Sequence, residues 1–124
     1  MPRLTEIPKS VAPESEIIKA FNVIRTAKRP LVIVGKGASY ANCDRELTEF
    51  INASNLPFLP TPMGKGVVSD FHQNNVGPAR STALSKADVI LLIGARLNWI
   101  LHFGKPPRFD KNVEFLRKIF KIFR

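Results

Sequence analysis

The chain has 124 residues, of which 44% are hydrophobic and 23% are charged. This length holds one domain at most, since single domains cluster at roughly 100–150 residues, and the composition excludes wholesale disorder. No apolar run approaches the ~20 residues of a membrane span, and the N-terminus has no signal-peptide pattern. The single cysteine, Cys43, excludes an internal disulfide and a thiolate metal cluster and indicates a reduced intracellular compartment.

The formal net charge of +9 is unevenly distributed. Residues 105–124 hold seven basic and two acidic residues and contribute +5, whereas the preceding 104 residues hold twelve basic and eight acidic ones and contribute +4. A nucleic-acid-binding protein is expected to spread its basic groups over a face and to add stacking aromatics. Because the excess here sits at one end, the C-terminal segment and the body of the chain need separate explanations.

The first part of the chain reads as a linker followed by a helix and a strand. Residues 1–13 contain three prolines and no periodic apolar face, which predicts an extended linker. Apolar residues recur at helical spacing over residues 14–28, and Pro30 is expected to stop that helix. The uninterrupted apolar run at residues 31–34 is typical of a strand that is covered on both faces.

The rest of the chain alternates between helical and strand patterns. The predicted elements are a helix at 44–53, a strand at 56–59, a loop-rich stretch at 61–77, a short helix at 81–86 and a strand at 88–93. This order of strand, glycine turn, helix and strand predicts an α/β fold with a Rossmann-like parallel sheet and flanking helices. Only about three strands are visible, whereas complete folds of this kind have five or six, so the sheet is expected to be incomplete.

A glycine turn, residues 35–40, follows the first strand at the place where parallel α/β sheets bind ligands. Its glycines would permit positive φ and close backbone approach, and the next helix would offer N–H groups to a phosphate beside Lys36 and Ser39. The turn matches neither the dinucleotide fingerprint, whose last glycine is replaced by Tyr40, nor a Walker A loop. A phosphate cradle and a tight turn with a solvated lysine are both open readings.

Catalytic constellations are scarce. His72 and His102 are thirty residues apart with no cysteine or carboxylate at metal-ligand spacing, so no metal site is predicted. Cys43 precedes a predicted helix, but a lone packed cysteine is the more frequent arrangement. No nucleophile elbow and no supported carboxylate pair is present. The sequence therefore predicts no catalytic residue.

Three stretches together resemble the central domain of thiamine-diphosphate-dependent enzymes, and most closely that of the 2-hydroxyacyl-CoA lyases and the related oxalyl-CoA decarboxylases. They are RPLVIVGKGA at residues 29–38, LPFLPTPMGKGVV at 56–68 and ADVILLIGARLNWILHFG at 87–104. The resemblance covers residues 14–110, and its last stretch is the most specific part.

The resemblance implies a parent enzyme of three domains that is homo-oligomeric and peroxisomal. In such enzymes the outer domains bind thiamine diphosphate and Mg²⁺ and supply the catalytic glutamate, while the central domain holds ADP or the nucleotide end of coenzyme A. The implied reaction cleaves a 2-hydroxyacyl-CoA to formyl-CoA and a shortened aldehyde. This chain lacks the outer domains and the C-terminal targeting tripeptide, so it is expected to be a truncated fragment that is not catalytic alone and is cytoplasmic by default.

The resemblance also assigns nucleotide-binding positions. Lys36 and Arg96 fall at positions that contact ADP in the decarboxylase branch. The segment expected to meet the coenzyme A nucleotide consists of Gly77, Pro78, Ala79, Arg80 and Ser81. These roles suit the chemistry, since an arginine can fork onto a phosphate and a lysine provides a point charge.

Some positions depart from the family pattern. Ser39 stands where the family usually has alanine, and residues 112–116 begin like the next strand of the sheet, whereas residues 117–124 do not resemble it. The expected division is a linker at 1–13, a partial central domain at 14–110 and a divergent basic tail at 111–124. In that tail, a cationic amphipathic helix and a short strand with a frayed end are both open.

A second hypothesis comes from a different functional class. Residues 105–124 would make the chain a basic, non-enzymatic adaptor for RNA or another anionic surface, with a steep salt dependence of binding. ADP or coenzyme A is nevertheless the expected partner, in preference to nucleic acid or a membrane surface.

Overall fold

The computed structural model describes residues 14–117. The predicted linker at 1–13 and residues 118–124 of the predicted basic tail lie outside the described residues. The helices and strands, in chain order, are α1 (Glu14–Thr26), β1 (Pro30–Val34), α2 (Lys36–Tyr40), α3 (Asp44–Ser54), β2 (Phe58–Pro60), α4 (Arg80–Lys86), β3 (Val89–Ile93) and β4 (Glu114–Leu116). No helix in this range is long and apolar enough to cross a membrane.

The four strands form one parallel sheet in the order β2-β1-β3-β4. Pairing of β1 with β3 is the longest, running from Pro30 opposite Val89 to Val34 opposite Ile93. β4 pairs with β3 and lies within the segment 112–116 that begins like a strand in the sequence. The predicted α/β class with a parallel sheet and flanking helices is confirmed.

The sheet is covered on both faces, which explains the uninterrupted apolar runs of β1 and β3. Val32, Val34, Leu91 and Ile93 pack on one face with α3 and the buried Ala20 of α1. The alternate residues of the same strands pack on the other face with Leu84 of α4 and with Phe109. Each strand therefore contributes to two cores.

The observed boundaries differ from the predicted ones for local reasons. α1 ends at Thr26 rather than at residue 28, because the backbone N–H groups of Lys28 and Arg29 donate to the carboxylate of Asp88 instead of continuing the helix. Pro30 then opens β1. The five-residue helix α2 was not predicted, since so short a segment carries no periodic apolar face.

Candidate functional site

A cavity of about 570 Å³ lies at the carboxyl ends of β1 and β3. Three segments line it: the turn after β1, the turn after β2 and the segment after β3. The chain leaves β1 toward β2 on one side and leaves β3 toward β4 on the other, so the cavity lies where the strand order reverses. Open α/β sheets bind their ligands at this topological position.

The loops after β1 and β3 are held together backbone to backbone. The N–H of Gly35 donates to the carbonyl of Ile93 at 2.8 Å, and the N–H of Gly37 donates to the carbonyl of Gly94 at 2.9 Å. A Cβ built on Gly35 would lie 2.5 Å from the carbonyl oxygen of Gly94, so a larger residue does not fit there. We call this close contact between the two loops the crossing; it holds the main chain at the base of the cavity in place.

The glycine turn differs from the turn that the sequence predicts, in which the glycines adopt positive φ. Gly35 has a φ of −117°, and neither it nor Gly37 adopts positive φ. Their N–H groups are used in the crossing with the β3 loop, and the N–H of Ala38 donates to the carbonyl of Gly35 at 3.1 Å. The sequence predicts that these glycines let a phosphate approach the backbone closely; in the structure the backbone of Gly94 makes the close approach. The N–H groups of Gly35, Gly37 and Ala38 are therefore already engaged and are not offered to an anion in the cavity.

Lys36 and Arg96, two of the predicted site residues, both line this cavity from different loops. Both side chains are exposed, and within the described lining they are the only charged ones. The Nζ atom of Lys36 lies 5.1 Å from the centroid of the Tyr40 ring. With two cations and no carboxylate among these residues, the lining favours an anionic ligand.

The other predicted segment lies apart from this cavity. Gly77, Pro78 and Ala79 form a 3₁₀ turn, and Arg80 and Ser81 begin α4. Asn75, just before the turn, pairs in parallel with Phe58 of β2, so the segment follows the outer side of that strand. None of residues 77–81 belongs to the described lining. The structure thus brings Lys36 and Arg96 together without these five residues.

Tyr40 and Met63 are among the lining side chains that the sequence did not predict as site residues. Their side chains are 71% and 60% exposed, although large apolar groups usually bury themselves. For Tyr40 a signal existed: it lies four residues after Lys36, which places both side chains on one face of a helical turn.

His72 and Cys43 both make hydrogen bonds within the fold. His72 Nδ1 accepts from the N–H of Asn74 at 3.1 Å, so Nε2 carries the proton in the 2.7 Å hydrogen bond to Asn52 Oδ1. The Sγ of buried Cys43 donates to the carbonyl of Ala38 at 3.4 Å. Among residues 14–117, no cluster of three His, Cys, Asp or Glu side chains fits a metal ion.

Comparison with known proteins identifies relatives over most of the chain. The family model described as "Thiamine pyrophosphate enzyme, central domain" matches residues 17–118. The chain is 56% identical over 110 residues to 2-hydroxyacyl-CoA lyase 1 of Mus musculus, covering 89% of this chain and 19% of the relative. It is 55% identical over 117 residues to the Homo sapiens protein of the same name, covering 94% and 20%. Identity to oxalyl-CoA decarboxylase of Escherichia coli K12 is 47% over 104 residues, covering 84% and 17%. The chain thus spans about a fifth of the length of these relatives.

Proposed function

The chain belongs to the family of thiamine pyrophosphate enzyme central domains, and on that premise we propose that it is the nucleotide-binding part of a 2-hydroxyacyl-CoA lyase. Enzymes of this family depend on thiamine diphosphate. The chain would hold ADP or the nucleotide end of coenzyme A between the loops after β1 and β3.

The observation that carries this proposal is the pairing of Lys36 and Arg96 on one cavity at the reversal point of the sheet. The planar guanidinium of Arg96 can bind two oxygens of a phosphate, while Lys36 supplies a compact charge. Backbone hydrogen bonds between the glycine loops fix the main chain that carries Lys36. A diphosphate is the ligand that this arrangement suits.

The role of the chain in the whole enzyme would be binding. The proposed reaction cleaves the C–C bond of a 2-hydroxyacyl-CoA to formyl-CoA and an aldehyde shortened by one carbon, and bound thiamine diphosphate supplies the carbanion chemistry of that step. Lys36 and Arg96 would hold the nucleotide end of the substrate, which does not react. Binding energy from such a remote group helps to orient the reacting end.

We further propose that residues 77–81 contact the nucleotide end of coenzyme A, including the 3′-phosphate that ADP lacks. Arg80 begins α4, on the outer side of β2 and outside the cavity. Replacing Arg80 with alanine would then weaken binding of coenzyme A more than binding of ADP. Equal weakening for both ligands, or for neither, would count against this second contact.

Thermal unfolding of the 124-residue chain with and without millimolar ADP or coenzyme A tests the main proposal. A ligand at about 100 times its Kd stabilises the folded state by about 2.7 kcal/mol, which raises the unfolding temperature by several degrees. We expect this rise in the unaltered chain and in Lys86→Ala. Lys86 is the last residue of α4, just before the amino end of β3, so this control removes a charge at the end of the strand away from the cavity. Lys36→Ala and Arg96→Ala should lose most of the rise. No rise with either ligand, or an equal rise in all variants, would contradict the proposal.

A second candidate function rests on the exposed basic residues of the C-terminal part. Lys105, Arg108, Lys111 and Arg117 are all exposed. As a basic adaptor, the chain would bind single-stranded RNA with an affinity that falls steeply with salt. Binding that is salt-independent, or that persists when these four residues are changed to glutamine, would exclude this function.

A further inference from the structure

The main chain of Lys36 is fixed, whereas its side chain is exposed. The hydrogen bonds of Gly35 to Ile93 and of Gly37 to Gly94 hold the backbone on both sides of Lys36. The long, flexible stem of a lysine still permits many rotamers, and a bound anion would have to select one of them. The affinity of the cavity therefore depends on what restricts this one side chain.

The ring of Tyr40 supplies such a restriction. Lys36 and Tyr40 are the first and last residues of α2, one helical turn apart, and the Lys36 ammonium lies 5.1 Å from the centroid of the ring. A cation at this distance from an aromatic ring is attracted by the negative charge density of the ring face. Ala38, between them, is fully buried and anchors the short helix. The backbone that carries the Tyr40 ring is therefore held in place as well.

We propose that Tyr40 is a positioning residue that holds the Lys36 ammonium against the cavity wall and so prepares it for a diphosphate. This inference rests on the proposed nucleotide binding and adds a specific role to a residue outside the predicted contact set. The interaction uses the ring face and leaves ammonium N–H groups for the phosphate oxygens. The phenol hydroxyl has no part in it.

An alternative role for an exposed aromatic side chain at a nucleotide cavity is stacking on the base. The two roles differ in the ligand that they affect. Positioning of Lys36 helps every diphosphate, including inorganic pyrophosphate, whereas stacking helps only ligands that carry a base. Comparing ADP with pyrophosphate therefore separates them.

The experiment is calorimetric titration of the full 124-residue chain with ADP and, separately, with pyrophosphate. Tyr40→Leu removes the aromatic face and keeps an apolar side chain, while Tyr40→Phe keeps the face. We expect Tyr40→Leu to weaken both ligands by about two- to fivefold, the range for an exposed cation–π contact. Tyr40→Phe should bind both like the unaltered chain.

A second readout needs no ligand. In the unaltered chain and in Tyr40→Phe, the ring should shift the Lys36 ε-methylene protons upfield in the NMR spectrum, and Tyr40→Leu should abolish that shift. A structural role alone would move the unfolding temperature but would not give rescue by phenylalanine together with this ring shift.

The possible outcomes distinguish failure of the proposed nucleotide binding from failure of the proposed role of Tyr40. If the unaltered chain binds neither ADP nor pyrophosphate, the proposed function fails, and the role of Tyr40 fails with it. If the unaltered chain binds but Tyr40→Leu binds equally well, only the positioning role is overturned. A loss confined to ADP also overturns positioning and favours stacking.

Discussion

Asp88 and Arg29 exchange hydrogen bonds across 59 residues of sequence. The N–H of Arg29 donates to Asp88 Oδ1 at 2.9 Å, and the N–H of Asp88 donates to the carbonyl of Arg29 at 3.2 Å. The other carboxylate oxygen accepts from the N–H of Lys28 at 2.8 Å. Asp88 precedes β3 directly, and Arg29 precedes β1. One side chain thus aligns the starts of the two strands whose opposite ends form the cavity.

Replacing Asp88 with asparagine is expected to lower the free energy of unfolding by about 1–2 kcal/mol. An asparagine offers one oxygen, so its NH₂ group would face one of the two backbone N–H donors. Urea denaturation measures the loss. Asp70→Asn is the matched control, because the Asp70 side chain is exposed, and its change should stay within about 0.5 kcal/mol. A loss of the same size in both variants would contradict the alignment role.

Acid should weaken the same contact. Partial burial raises the pKa of Asp88, but hydrogen bonds from the N–H groups of Lys28, Arg29, Asp88 and Val89 outweigh it, so the pKa lies below its ordinary value. A group whose pKa is lower in the folded state stabilises above its unfolded pKa and loses that stabilisation as pH falls through the folded pKa.

Urea denaturation from about pH 7 to pH 2.5 measures this effect. The Asp88 contribution should be complete at neutral pH, begin to decline near pH 4, about the pKa of an unfolded aspartate, and be lost as the pH falls through the lower folded pKa. The difference between the unaltered chain and Asp88→Asn should therefore shrink on acidification. A difference that stays constant or grows would show that the charge of Asp88 has no part in stability.

Gly94→Ala is expected to destabilise the chain by about 3 kcal/mol or more. Gly94 has a φ of +64°, and its added Cβ would collide with the backbone N of Ala38. Gly66→Ala is the control with a similar backbone: its φ is +88°, but no atom lies within 4 Å of the added Cβ. It should cost only about 1 kcal/mol, the strain of the left-handed conformation. Thermal or urea unfolding compares the two, and equal costs would contradict the close crossing of the β1 and β3 loops.

Phe58→Ala and Phe71→Ala remove the same side chain from opposite surroundings. Phe58 in β2 is fully buried, and its ring lies 5.7 Å from that of His72, whereas Phe71 is 98% exposed. Removing a buried phenylalanine costs about 3–5 kcal/mol because it leaves a cavity in the core. Phe71→Ala should change the free energy of unfolding by less than about 0.5 kcal/mol. Similar costs for both in urea denaturation would mean that β2 is not packed as described.

The strands that position the cavity could be predicted, because sheets covered on both faces require uninterrupted apolar segments. The runs at 31–34 and 88–93 became β1 and β3. In a parallel sheet the carboxyl ends of neighbouring strands share an edge, so the loops carrying Lys36 and Arg96 could be expected to meet.

Other features depend on contacts that no local pattern encodes. The carboxylate of Asp88 ends α1 early through hydrogen bonds with residues about sixty positions away. The N–H groups of the glycine turn are taken up by a loop that follows a different strand. Tyr40 was examined only as a failed match to a glycine motif, and its contact with Lys36 depends on a five-residue helix too short to show a period.

The most direct test of nucleotide binding between the β1 and β3 loops is an NMR titration of the ¹⁵N-labelled chain with ADP. The amide signals that move most are predicted to be those of the cavity segments, led by Lys36, Ala95 and Arg96, with residues of α1 unchanged as an internal reference. No saturable shifts, or shifts centred on residues 77–81 with the cavity segments unmoved, would contradict the account.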